Sequence, residues 1–231
     1  MLVVILSLTF GYRDVFKSAD RAPLLQMAWD SVLIIGRSAR LRSLFVALFL
    51  LFAGWVLALA YLPLAVKALY VGDRPGTAVG LVLGAGGLTT LVLSPVVGAL
   101  ADRFGHWRVL FVGAIVAVCL WPLPALAPNL VWFGVAWALL NSVASSVFTI
   151  SFSVLSGSAA SEVRGRVMSF AYLPMNVGFM VGPAIGSIVT KGSVFAVFPT
   201  AAVITALGVG ALAFAARQRV EARALAETPR A

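Results

Sequence analysis

Charge is scarce in this sequence. Only 11% of its 231 residues are Asp, Glu, Lys or Arg, against roughly 25% in a soluble domain. Apolar residues make up 61%, and the mean hydropathy is +1.04. That balance excludes a soluble enzyme, a disordered protein and an ordinary nucleic-acid module. Cysteine is nearly absent. Cys119 stands alone, so neither an internal disulfide nor a cysteine zinc site is available. It lies in an apolar run and is expected only to pack. Histidine is also single, at His106. An intramembrane serine protease needs a serine and a histidine at membrane depth, and no Gly-x-Ser-x-Gly elbow or His/Asp/Glu cluster occurs. The chain is therefore read as a non-enzyme without cofactor or metal. Its net charge of +9 points to the basic cytoplasmic rim of a membrane protein rather than to nucleic acid.

What is present is a series of long uncharged runs. Residues 43–66, 75–101, 167–190 and 192–216 carry no charge, and each is long enough for a bilayer-spanning helix of about 20 residues. The run 109–161 has 53 residues. As one helix it would reach roughly 80 Å, so it must fold back. Pro122, Pro124, Pro128 and Asn129 place the turn. Six spans follow, near 43–66, 77–100, 109–127, 130–153, 167–190 and 194–216. Residues 1–10 are also apolar but would cover only about half the hydrocarbon thickness. They lack the basic start and small-residue cleavage site of a signal peptide, and are read as the end of a truncated transmembrane helix.

The basic residues set the orientation. The segments 11–42, 101–108, 155–166 and 217–231 together hold 14 Lys and Arg; the opposite loops hold three, Lys67, Arg74 and Lys191. Both ends of the six-span unit are thus expected in the cytoplasm. The linker 11–42 suits a partly helical segment on the inner surface, near anionic headgroups. The polar tail 217–231 is expected to fray on the cytoplasmic side.

One loop carries most of the information. It runs Gly98-Ala99-Leu100-Ala101-Asp102-Arg103-Phe104-Gly105-His106-Trp107-Arg108. It resembles the signature of the major facilitator superfamily between the second and third helices of a half: glycine, three residues, an acid, a base, any residue, glycine, then basic residues. Gly98, Asp102, Arg103, Gly105 and Arg108 match; Trp107 departs, since a base is usual there. Gly98 would let a neighbouring helix approach, Gly105 would permit the turn, and Asp102 would pair with a base or cap a helix. The resemblance implies a cytoplasmic latch that opens as the transporter changes state. Its expected partner is the next loop on that side, with Glu162, Arg164 and Arg166.

A second match is Gly178, Gly182-Pro183 and Gly186 in the fifth span. It resembles an antiporter motif of the family, with Ser187 in place of the final glycine. The three glycines share one helix face, which favours close packing, and Pro183 is expected to kink the span. The resemblance covers residues 42–216, nearly the whole chain. It implies an all-α polytopic membrane protein: six helices, in two inverted three-helix repeats, forming half of a twelve-helix transporter. The preceding linker and apolar stub fit a C-terminal half.

No Asp, Glu, Lys, Arg or His lies in the middle of a span. Proton relays need such groups, so any coupling carboxylate is expected in the missing N-terminal half. Polar and aromatic candidates for a substrate path are Trp55, Tyr61, Thr89, Thr90, Asn141, Ser145, Tyr172 and Asn176. The resemblance implies that the first, second, fourth and fifth helices line the cavity while the third and sixth mostly face lipid. Each candidate also has a structural reading: the asparagines as bonds between helices, Trp55 and Tyr61 as interface anchors. The expected function is secondary transport of a small amphipathic or apolar solute by alternating access, with proton-coupled drug efflux as one form, in a bacterial inner membrane. The expected partners are the lipid bilayer, the solute and the other half. The alternatives are a subunit or fragment inactive alone, and a half-transporter working as a homodimer.

Overall fold

The computed structural model describes residue 33 and residues 35–227. The expected partial helix over 1–10 and most of the linker 11–42 lie outside the described residues. Residues 33 and 35–37 are helical, and seven α-helices follow: α1 Ala39–Leu69, α2 Pro75–Phe104, α3 His106–Leu120, α4 Leu130–Ser158, α5 Arg164–Ser169, α6 Leu173–Val189 and α7 Val197–Glu227. Short 3-10 turns at Leu123–Leu126 and Val194–Ala196 complete them. Six stretches are long and apolar enough to cross a membrane, the third being α3 with its 3-10 turn and the fifth α5 with α6.

The boundaries have local causes. Ser38 caps α1, its hydroxyl accepting from the Leu41 amide at 3.3 Å. The last residues of the expected linker are therefore the first turn of α1. Pro75 opens α2, where a missing N–H costs nothing. Gly105, at φ +92°, ends α2 and starts α3, a left-handed geometry that glycine adopts without strain. The proline-rich turn ends at Asn129, whose carboxamide accepts from the Val131 and Trp132 amides, both at 3.1 Å, and caps α4.

Three expectations are corrected. The fifth span is not one continuous helix: Phe170–Tyr172 separate α5 from α6. There the amides of Phe170, Ala171 and Leu173 bond three residues back. Pro174, which has no N–H to give the Phe170 carbonyl, fits only the first turn of a new helix. The tail does not fray at residue 217, since α7 continues to Glu227; its Ala, Arg and Glu are strong helix formers. Cys119, expected to pack, is exposed on α3.

The packing follows an exchange pattern. α1, the first helix of the first triplet, packs mainly on α6 and α7 of the second. α4, the first of the second triplet, packs mainly on α2 and α3 of the first. α1 and α4 touch each other, as do α3 and α7. The first and fourth spans are accordingly central, with 56% and 50% of their apolar windows buried, against 11% for the second. Two buried clusters result, one around Leu44, Leu48, Leu110, Leu155 and Leu212, the other around Leu57, Leu62, Trp121, Trp137 and Phe198.

Candidate functional site

The charged turn keeps its spacing, but its residues engage differently from the expected latch. Asp102 is 80% exposed and lies 3.8 Å from His106 Nε2, one turn on. It does not cap α3 with its side chain. The Arg103 guanidinium lies 5.3 Å from the Phe104 ring centroid, and Arg108 is exposed. A Cβ on Gly98 would meet nothing within 4 Å. It sits on the exposed face of α2, and no helix among the described residues packs against it. Among the described residues no ion pair joins Asp102 or Arg103 to Glu162, Arg164 or Arg166. Glu162 is held below the usual carboxylate range, first by a backbone N–H, then by the Ser161 hydroxyl donating at 2.8 Å, and by the charge of Arg164.

The connection between elements at this end is made by a residue the sequence reading passed over. Arg40 of α1 donates to Ser158 Oγ of α4 at 2.8 Å and sits 5.7 Å from the Trp107 ring centroid of α3. The indole that departs from the family pattern thus receives a cation in place of supplying one. Arg40 had counted only as one basic residue of the linker among six; its place three residues before the uncharged run that starts at residue 43 was the available signal.

Midway along the spans lies a polar junction. Trp55 Nε1 donates to Asn141 Oδ1 at 3.2 Å. Asn141 Nδ2 donates to the Gly86 carbonyl at 3.4 Å and to Thr90 Oγ1 at 3.3 Å. Thr90 donates to the same carbonyl at 2.8 Å and lies 3.3 Å from Ser142 Oγ. The junction ties α1, α2 and α4. Thr89 instead bonds the Ala85 carbonyl of its own helix. Along α4, Ser142, Ser146, Thr149 and Ser151 each donate one turn back, the local solution for hydroxyls where water is absent.

The other candidates are dispersed. Tyr61 donates to the Pro183 carbonyl at 3.0 Å, a bond between α1 and α6. Tyr172 is exposed, with its ring 5.0 Å from that of Phe152. Asn176 is exposed on α6. The glycines of α6 do meet a helix. Gly178 faces Phe52 and the Ala53 amide, Gly182 faces the Leu57 amide, and Gly186 lies under the Tyr61 ring. A Cβ on Gly182 would sit 2.9 Å from that backbone nitrogen.

Beside the junction is a cavity of about 220 Å³. Its walls include Phe52 and Trp55 of α1, Trp121 beyond α3, Ser145 and Phe148 of α4, Met175 and Phe179 of α6, and Thr205 of α7. Of the candidate path residues, Trp55 and Ser145 line it. The phenylalanines escaped the sequence reading because a Phe in an apolar span carries no mark distinguishing cavity wall from core.

Six helical stretches apolar and long enough to cross a membrane, around a half-buried polar junction, define a multi-pass helical membrane protein. The family model described as Major Facilitator Superfamily matches residues 44–230. The chain belongs to the major facilitator superfamily. It is 27% identical over 131 residues to the multidrug resistance protein MdtG of Erwinia billingiae, covering 54% of this chain and 32% of that protein. It is 34% identical over 110 residues to the staphyloferrin B transporter of Staphylococcus aureus, 47% of this chain and 26% of that one. It is 26% identical over 151 residues to the class C tetracycline resistance protein of Escherichia coli, 65% and 38% respectively. The chain thus spans less than two fifths of the length of each of these relatives. Members of this family are generally carriers rather than enzymes.

Proposed function

We propose that the chain forms one six-helix half of a secondary transporter, built of two inverted three-helix repeats, that exports a small amphipathic or apolar solute by alternating access. The observation that carries this reading is the bare face of α2 and α6. Leu81, Leu88, Leu91 and Val92 on α2, and Val177, Phe179 and Met180 on α6, are exposed. α2 and α6 lie apart, each held by the opposite triplet's first helix. A second six-helix unit, the N-terminal half, would cover both faces and enclose a midplane path near Trp55 and Asn141. The exchange pattern of packing supports the inverted repeats. The relatives named for multidrug and tetracycline resistance support an amphipathic or apolar drug as solute. The surplus of basic residues beside one set of span ends supports a C-terminus in the cytoplasm and a place in the inner membrane. With no ionisable group at mid-span, a coupling proton would be carried by the other half.

In this reading Asp102 and Arg103 are free to engage Glu162, Arg164 and Arg166 in another conformational state. The test is ethidium accumulation in everted membrane vesicles from cells that overproduce the transporter. Asp102→Ala and Arg103→Ala are expected to lower the initial rate at least tenfold at unchanged membrane abundance. Full accumulation by both variants would contradict the latch, and no accumulation by the parent would contradict ethidium efflux.

A further inference from the structure

We infer that the cavity inside the six-helix unit is a binding site for a neutral, two-ring aromatic compound carrying one hydrogen-bonding group, which Ser145 holds. The site lies among α1, α3, α4, α6 and α7, with Trp121 beyond α3, so it is built by this unit itself, and Phe179 on its wall also belongs to the free face of α6. Its occupation does not depend on transport.

Four features fix the ligand class. The first is size. An apolar cavity of about 150 Å³ accepts benzene; one of about 220 Å³ has room for roughly half as much again, two fused rings rather than three. The second is the wall. Phe52 and Phe148 meet edge to face, with centroids 4.1 Å apart at 89°, and Trp55, Trp121 and Phe179 complete an aromatic lining that suits further ring stacking. The third is charge. No lining residue is ionisable, and burying a charge without a partner at membrane depth is costly, so the ligand is neutral. The fourth is Ser145. Its α4 neighbours Ser142, Ser146, Thr149 and Ser151 each spend the hydroxyl proton on a carbonyl one turn back. The Ser145 hydroxyl makes no hydrogen bond among the described residues, yet it lines the cavity at the middle of its span. Thr205 Oγ1, on the same wall, is also without a partner but is fully buried, so Ser145 is the hydroxyl placed to orient a guest. Trp55, also on the wall, already gives its N–H to Asn141.

The experiment uses the 231-residue chain in lipid nanodiscs, with 2-naphthol and naphthalene as probes and quenching of tryptophan fluorescence as readout. Empty nanodiscs supply the bilayer-partition background. Saturable binding of 2-naphthol at one per chain is expected. Ser145→Ala should weaken 2-naphthol about fivefold, the value of one hydrogen bond, and leave naphthalene unchanged. Ala144→Phe, which fills the cavity, should abolish saturable binding of both, and circular dichroism checks that the variant is folded. Quenching that never saturates means bilayer partition only and overturns the proposal. So does equal weakening of both probes by Ser145→Ala. Loss of ethidium transport would bear on the proposed function, whereas these binding data would stand independently of it.

Discussion

At the scale of single residues, the most consequential side chain is Asn141. It is at once the acceptor for Trp55 and the donor to Gly86 and Thr90, and so joins three spans midway along their length. Interhelical polar contacts in membranes contribute about 0.6 kcal/mol on average and up to about 1.7. Asn141→Leu strands the Trp55 N–H and should cost an amount in the upper part of that range, read from reversible unfolding in detergent against Ser153→Ala as a surface reference. A loss indistinguishable from the reference would mean that the junction does not hold the helices. Glu162 makes a second prediction at this scale. Its carboxylate is favoured by a backbone N–H, by Ser161 and by Arg164, so its folded pKa lies below the ordinary 4.5. Whatever this group contributes is fully present above pH 4.5 and is lost as pH falls through the lower folded value. A carbon-13 titration of the Glu162 carboxyl should give a midpoint under 4.5, and a midpoint at or above it would refute the assigned hydrogen bonds.

At the scale of elements, spacing foretold more than chemistry did. The spans, the proline-rich turn and the Gly105 hinge were all legible, because each follows from a local rule: uncharged length, a missing N–H, a positive φ. The break at Phe170–Tyr172 was marked by Pro174 but hidden inside a run whose hydropathy is continuous. The face of Gly178, Gly182 and Gly186 was legible from its four-residue spacing, while its partner, α1, was not, since adjacency of helices distant in sequence leaves no periodic trace. Gly98 shows the opposite case, a motif glycine with nothing opposite it among the described residues. The two kinds of glycine separate in a measurement. Gly182→Ala pushes a methyl against the Leu57 backbone and should destabilise the isolated chain by about 1–3 kcal/mol. Gly98→Ala enters open space and should stay within about 0.5 kcal/mol of the parent. Thermal unfolding of both variants decides it; equal costs would contradict the α1–α6 packing.

At the scale of the whole molecule, the fold leaves large apolar side chains bare on several sides, and exposure alone does not say which sides meet lipid. The exchange of first helices between triplets makes α1 and α4 central and leaves α2 and α6 far apart, each with one free face. Most of the candidate path was not legible from the sequence for this reason. Trp55 and Asn141 come together through the central pair, whereas Tyr172, exposed just before α6, and Asn176, exposed on α6, stand where a second unit would decide their neighbours. The central claim is that this free surface is covered by another six-helix unit while the outer face of α7 meets lipid. Leu91 on α2 and Leu207 on α7 are 72% and 60% exposed in the chain itself, so any difference between them in the membrane reports the partner. The measurement is the oxygen collision rate of a nitroxide placed at Leu91→Cys or Leu207→Cys, with Cys119→Ser as the background, in native membranes. The account predicts a low rate at 91 and a high, lipid-like rate at 207. Equal, lipid-like rates at both positions would contradict it.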